Sequence, residues 1–328
     1  MRHGSIALFV PHLGCTHQCV FCDQKQISGI SSPPSPQDVE AAVAAALSHA
    51  DRPQELEIAF FGGSFTAVEE PYRLSLLGTA ARLVAAHGLA GIRISTRPDC
   101  LPEKTIRQLQ AYGVTMVELG VQSMDDGVLA QSGRGHTAAD TLQAAGRLRD
   151  AGLPFGAQLM LGLPGSSWEK EWATAQAVAA LHPACVRIYP LLVLKGTPLE
   201  ALWRQGRYRP LTLAEAVRRT AELLNFFETR GIPVIRAGLH DGPELKNGVL
   251  AGPYHPAFRQ KCEGLRVRMD ILKKLAGHTA CTVEVSPRRA SDVVGHQKEN
   301  VIHFQNLGLH VTIKVTDAVE GYRVIIKE

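Results

Sequence analysis

Three cysteines stand close together in "GCTHQCVFCDQ", residues 14–24: Cys15, Cys19 and Cys22. Thiolates spaced four and then three apart on one loop can converge on a single soft metal centre. A structural zinc site asks for four protein ligands in a closed tetrahedron, commonly two CxxC-type pairs. A second pair is missing, and only His3, His12 or His17 is near in sequence. A [4Fe-4S] cluster held by three thiolates instead keeps one iron free of protein ligands, open to a substrate or cofactor. The remaining cysteines, Cys100, Cys185, Cys262 and Cys281, are scattered. They read as buried thiols, which pack as small hydrophobes, and seven in 328 residues are too few for a secreted disulfide framework.

A loop of this kind needs a scaffold, and the flanking pattern supplies one. Short apolar runs rich in β-branched and aromatic residues read as buried strands: "SIALFV" (5–10), "LEIAFF" (56–61), "IRIS" (92–95), "TMVELGV" (115–121), "GAQLML" (156–161) and "CVRIYP" (185–190). Between them, helical segments are expected near 36–50, 70–88, 102–112, 138–152 and 168–181. Ser35 is placed to cap the first of these, with Pro36 in its first turn. Strands alternating with helices form a parallel sheet, because each helix is the crossover that parallel neighbours require. Periodicity alone leaves an open sheet and a barrel equally allowed. In either, the cysteine loop follows the first strand and so lies at the carboxyl end of the sheet, where α/β proteins place their chemistry.

After a further helix, "TLAEAVRRTAELLNFFETRG", and the apolar "IPVIRAGL", the pattern changes. A basic helix (about 256–276), a strand near 280–285, the polar "SPRRASDVVGHQKEN" and strands near 309–315 and 321–327 read as a small α+β domain. The expected organisation is a barrel over 1–245 and a small basic domain over 246–328. Charge follows this division: 12 Lys and Arg stand against 8 Asp and Glu beyond residue 250, so the net charge of +4 lies wholly there. Such a stripe can neutralise phosphates and bind RNA without regard to sequence, or can be an ordinary solvated helix face. No apolar run is long enough to span a membrane, and the N-terminus lacks a signal-peptide pattern, so a cytoplasmic protein is expected.

The CxxxCxxC loop, with Phe21 before the third cysteine and a strand before the first, resembles the signature of the radical S-adenosylmethionine (SAM) superfamily. "VELGVQSMDDGVLAQSGRGHTAADT", "LMLGLPG" and "RIYPLLVLKGTPLEALWRQGRY" are similar to the radical SAM part of the Elongator catalytic subunit, and more distantly to oxygen-independent coproporphyrinogen oxidase. The resemblance covers about residues 1–245. It implies an α/β partial (β/α)6 barrel, a [4Fe-4S] cluster on Cys15, Cys19 and Cys22, and SAM chelated to the fourth iron. It further implies reductive cleavage of SAM to a 5′-deoxyadenosyl radical, with electrons from a ferredoxin- or flavodoxin-type donor. The Elongator likeness raises tRNA or another RNA as substrate, by analogy.

Carried over residue by residue, "FFGGSFT" with Gly62, Gly63 and Ser64 matches the motif whose main chain meets the amino group of SAM. Glycine suits that task because a backbone without Cβ can approach a ligand closely. Ser95 in "STRPD" stands where these relatives have a glutamate, keeping a hydroxyl for the ribose but no charge. Gln122 matches a SAM-contacting glutamine, Arg134 in "GRGHT" an arginine reaching the SAM carboxylate, and Gln158 a ribose-side aspartate. Glu118 shares a face of its strand with Gly120 and Gln122. A carboxylate inside a barrel needs a ligand or a partner such as Arg97 or Arg187.

Three departures limit the carry-over. The Elongator subunit has a longer gap between its first two cluster cysteines. Its acetyltransferase domain far exceeds the 80 or so residues after the barrel here, so acetyl transfer is not implied. The coproporphyrinogen enzyme has a further cysteine where this chain has Gln24. Two other functions stay open on the sequence: a small-molecule oxidoreductase of the coproporphyrinogen type, and a zinc-stabilised RNA-binding protein without catalysis.

Overall fold

The computed structural model describes residues 4–10, 13–15, 17–24, 29–30, 32–239 and 242–326. Its main sheet takes in chain order β1 (Gly4–Val10), β2 (Leu56–Gly62), β3 (Gly91–Thr96), β4 (Val114–Gln122), β5 (Phe155–Leu161) and β6 (Cys185–Pro190). These are the six strands expected from the apolar runs. A seventh joins them: β8 (Val234–Ala237), from "IPVIRAGL", pairs in parallel with β6. Strand order is β1-β2-β3-β4-β5-β6-β8, so the curled sheet is an open partial barrel. Between β6 and β8 in the chain lies β7 (Val193–Leu194), which pairs antiparallel with β9 (Val249–Ala251).

The crossover helices are α1 (Pro36–Leu47), α2 (Glu70–His87), α3 (Glu103–Ala111), α4 (Asp126–Gln131), α5 (Ala138–Asp150) and α6 (Trp168–Ala179). Beyond β7 come α7 (Pro198–Arg204) and α8 (Leu213–Glu228). Local sequence sets their starts. Ser35 caps α1 and Thr137 caps α5, each in a reciprocal capping box with the aspartate three residues on, Asp38 and Asp140. One face of the strands is apolar, while alternate positions on the other face carry the charged side chains Glu57, Arg93 and Glu118, which are buried and paired. Ile58, Phe60, Ile92, Ile94, Val117 and Leu119 are all fully buried.

After α9 (Pro243–Gly248) the chain enters α10 (Phe258–Leu275), then β10 (Ala280–Val285), α11 (Ala290–Val294), α12 (Glu299–Asn306), β11 (His310–Val315) and β12 (Tyr322–Ile326). In this small sheet, β11-β10-β12, β10 runs parallel to β11 and antiparallel to β12. The stretch read as merely polar, "SPRRASDVVGHQKEN", holds α11 and the start of α12. α10 belongs to both cores. Phe258 and Cys262 pack with the barrel, and Val267, Ile271 and Leu275 with the small sheet. Arg266, paired with Glu228 of α8, helps fix that helix against the barrel. No helix among the described residues is long and apolar enough to cross a membrane.

Candidate cofactor site

The carboxyl ends of β1 to β5 meet in one cleft of about 560 Å³, open mouth included, whose walls carry Cys15, Cys19, Cys22, Gly62, Gly63, Ser64, Ser95, Gln122, Arg134 and Gln158. Thus every sequence-predicted site residue except Glu118 reaches the same space. His17, Gln18, Gln24, Thr96, Arg97 and Gly120 complete the lining. Sequence reasoning did not assign these, although Thr96 and Arg97 sit inside the quoted "STRPD" and Gly120 shares the Gln122 face.

Main-chain contact holds the cysteine loop in place. Gly63 N–H donates to Val10 O at 2.8 Å. A methyl group at Gly63 would meet Leu13 O at 2.2 Å, and one at Gly14 would meet Ser64 O at 2.3 Å. The glycines of "FFGGSFT" therefore let the cysteine loop lie directly on the loop after β2. On the other side Val20 N–H donates to Ser132 O, and Val20 O accepts from Leu199 N–H. Cys19 and Phe21 are buried in a small apolar cluster with Val128, Leu163, Leu191, Val193, Leu199 and Tyr208.

The three thiols are close enough to act on each other. Burial, then the neighbouring Cys19 and Cys15, push the Cys22 thiol up to about 12. Thiolates gathered this way need a cationic centre to be stable. Among the described residues no three His, Cys, Asp or Glu side chains close on a point as they would around a single ion. Three thiolates on one loop match the ligand number of a [4Fe-4S] cluster that keeps one iron open, whereas a closed zinc site asks for four protein ligands. Of the histidines considered for zinc, His17 receives a hydrogen bond from Arg97 at 3.3 Å, while His3 and His12 lie outside the described residues.

Beside the thiols the cleft carries orphaned polar atoms. Ser95 Oγ, Gln122 Oε1 and Arg134 Nε are buried without a hydrogen-bond partner. Each such atom costs about 1–3 kcal/mol in a folded protein, unless a ligand supplies the partner. Gln122 also has φ of +63°, a left-handed conformation unusual for a residue with a side chain, and the β4–β5 register shifts just before it. This bulge turns the end of β4 into the cleft. Arg134 lies between Gly133 and Gly135, both at positive φ. A methyl at Gly135 would meet the His17 ring at 2.5 Å. The guanidinium donates to Gly120 O at 2.7 Å and to Cys19 Sγ at 3.3 Å.

Glu118 is placed differently. It is 1% exposed, absent from the cleft wall, and bound by Arg93 at 2.8 Å, Arg187 at 2.7 Å and the Gln158 amide at 2.8 Å. Arg93 also pairs with Glu57 at 2.7 Å. Of the two partners considered for Glu118, Arg187 is present and Arg97 is not, because Arg97 is engaged by Asp99 at the end of β3. Arg93, within "IRIS", was missed because an arginine inside an apolar run gives no local sign of the carboxylates it faces. The carboxylate thus reaches the cleft only through Gln158. That residue and Gln122 also line an adjoining apolar chamber with Phe21, Met160 and Tyr189. Of the scattered thiols, Cys185, Cys262 and Cys281 are buried, whereas Cys100 is partly exposed.

The tRNA uridine(34) acetyltransferase of Methanocaldococcus jannaschii is 34% identical over 247 residues, covering 65% of this chain and 44% of its own length. Its namesake from Dehalococcoides mccartyi is 30% identical over 282 residues, covering 77% of this chain and 60% of its own length. The chain therefore spans about half the length of these curated relatives. The solved structure of an archaeal Elp3 from Methanocaldococcus infernus, with an N-terminal deletion, has the same fold, with a TM-score of 0.64 at 24% identity over 83% of this chain and 63% of that one. The radical SAM C-terminal domain model matches residues 183–265. The radical SAM superfamily model matches residues 9–178, just over half of the sequence, and the chain belongs to that superfamily.

Proposed function

We propose that this chain is a radical SAM enzyme that modifies RNA, with a tRNA uridine as its substrate. The observation that carries the cofactor assignment is the convergence of Cys15, Cys19 and Cys22 with the unpartnered Ser95, Gln122 and Arg134 on one cleft. The RNA assignment is supported by the tRNA-modifying relatives. Cys15, Cys19 and Cys22 hold a [4Fe-4S] cluster with one iron left for SAM. When bound, the cluster and SAM supply reductive cleavage of the sulfonium and a 5′-deoxyadenosyl radical for hydrogen abstraction.

The protein's own residues orient and enclose these groups. Gly62, Gly63 and Ser64 present main chain to the amino end of SAM. The Ser95 hydroxyl and Gln122 amide bind the nucleoside, and Arg134 supplies donors to the carboxylate from beside Cys19. Gln158 faces the ribose with its amide held by Glu118, which acts as a positioning residue. Phe21 and Met160 keep water from the adjoining chamber, as radical chemistry requires. A ferredoxin- or flavodoxin-type protein donates the electron, and the enzyme works in the cytoplasm. We divide the chain into a catalytic barrel over 1–245 and a small domain over 246–328, joined by α10.

Anaerobic reconstitution with iron and sulfide, reduction and addition of SAM test the chemistry through release of 5′-deoxyadenosine. Stoichiometric zinc, with neither cluster absorption nor SAM cleavage, would overturn it. Mass spectrometry of nucleosides from tRNA incubated with the active enzyme tests the substrate. SAM cleavage without any change in tRNA nucleosides would leave a radical SAM enzyme on another substrate.

A further inference from the structure

The basic helix α10 is less available to RNA than its composition implies. Arg259, Lys261, Arg266 and Lys274 are in ion pairs with Glu263, Glu299, Glu228 and Asp270 respectively, and Arg289 is held by Glu263 and Asp292. Cations in no ion pair among the described residues include Arg268 and Lys298. Lys298 belongs to the turn "GHQK" (295–298) between α11 and α12, and Arg268 interacts with Glu299 directly after it.

That turn is built in detail. Gly295 is buried with φ of +80°, and a methyl there would meet Asn300 N at 2.9 Å. Asn300 is 2% exposed, and its amide donates to Gly264 O, Asp292 O and Val293 O, tying the turn to α10 and α11. Gln297 and Lys298 follow at φ of +50° and +64°, both exposed. Around them the His255 and His296 rings stand edge to face at 5.0 Å. Lys261 reaches the first residue of α12. Burial, and then Arg268, hold His303 below its usual value, which sets that guanidinium beside α12. Glu299 and Asp292 are acidic residues beside the turn, Asp292 being paired with Arg289, and they stand against Lys261, Arg268, Lys298 and the histidines.

The connectivity matters as much as the charge. β10, α11, the turn, α12 and β11 form a β-α-α-β unit in which β11 is an edge strand. Apolar surface flanks it: Ile302 on α12 is 49% exposed, and Val315 at the end of β11 is 56% exposed. KH modules clamp about four backbone nucleotides with a GXXG loop between two helices. Here the fourth position is Lys298 rather than glycine. It nevertheless adopts the left-handed backbone that glycine would favour, and it adds a cation.

We infer that the Gly295–Lys298 turn, with α11, α12 and edge strand β11, is a clamp for the phosphate backbone of a short single-stranded RNA segment. The inference deepens the RNA-modifying reading by giving the small domain a substrate-holding role. Its geometric basis is independent of the barrel. Phosphates meet the turn and its cations, while bases lie against the aliphatic side chains of α12 and β11.

The test is fluorescence anisotropy of the full chain with a labelled 12-nucleotide single-stranded RNA of mixed sequence, alongside the same sequence as a duplex. Gln297→Asp with Lys298→Asp preserves the turn, because aspartate tolerates left-handed φ better than most residues. It is expected to weaken single-strand binding at least about tenfold, and loss of the Lys298 contact should lower the log–log salt slope by about 0.7. Ser75→Asp with Arg107→Asp makes the same charge change on the outer barrel helices and is expected to weaken binding less than threefold. Equal weakening by the two variants, no weakening by the first, or duplex binding as tight as single-strand binding would overturn the clamp. Crosslinking of 4-thiouridine RNA to the unmutated chain gives a readout that does not depend on variant folding. Crosslinks within residues 288–315 support the clamp, and crosslinks confined to the barrel overturn it. These measurements need neither cluster nor SAM, so their failure and a failure of the barrel chemistry are separable.

Discussion

Replacing Glu118 with glutamine separates a positioning role from direct SAM contact. The substitution keeps shape and removes charge from a carboxylate that is 1% exposed and bound by two guanidiniums and an amide. Arg93 then keeps the Glu57 carboxylate while Arg187 loses the carboxylate it pairs with, and a net positive charge is left in the barrel. Removing one partner from a buried ion pair costs about 3–5 kcal/mol, mainly because the other charge stays buried without compensation. Retained hydrogen bonding by the glutamine amide puts the expected loss near the lower end, about 3 kcal/mol. The assay is urea unfolding of the cluster-free protein without SAM, followed by tryptophan fluorescence from the Trp168–Trp172 pair in the barrel wall. Arg187→Met in the Glu118→Gln background should cost less than in the native chain, with a coupling of about 1–3 kcal/mol. Unchanged apo stability, together with complete loss of SAM binding in the reconstituted enzyme, would refute the reasoning and make Glu118 a ligand contact.

Three further outcomes follow from the same geometry. Gly63→Ala drives a methyl toward Leu13 O, a backbone atom that can yield only by moving the cysteine loop. Iron bound per chain after reconstitution should fall several-fold, with apo stability down by about 1–3 kcal/mol. Gln122→Gly relieves the left-handed backbone at φ of +63° and should stabilise the apo protein by about 1 kcal/mol while weakening SAM binding. His136 is held down to about 4, by burial first and by Arg134 next, from an unfolded value near 6.5. Its neutral ring then favours the fold above pH 6.5, and that contribution, up to about 3 kcal/mol, is lost as pH falls from 6.5 through 4. His136→Gln should flatten that interval of the stability profile, measured by urea unfolding across pH.

The strand–helix alternation and the cysteine spacing were legible because each is carried by residues close in sequence. Apolar runs announce buried parallel strands, Ser35 announces a helix start, and three thiols on one loop announce a soft metal centre. β8 was harder to place, since "IPVIRAGL" is short and nothing local says which strand it pairs with. The helices in "SPRRASDVVGHQKEN" were hidden by polar composition, although Gly295 and Asn300 hold their junction together.

What the sequence determined by itself was the order of the elements and the set of residues at the carboxyl ends of the strands. Tertiary structure decided what those residues touch. Glu118 meets arginines 25 and 69 positions away, and Arg134 meets Cys19 across 115 positions. The physical reason is that a buried charge or an orphaned hydroxyl is defined by its surroundings, and those surroundings exist only once the sheet has curled and brought the strand ends together.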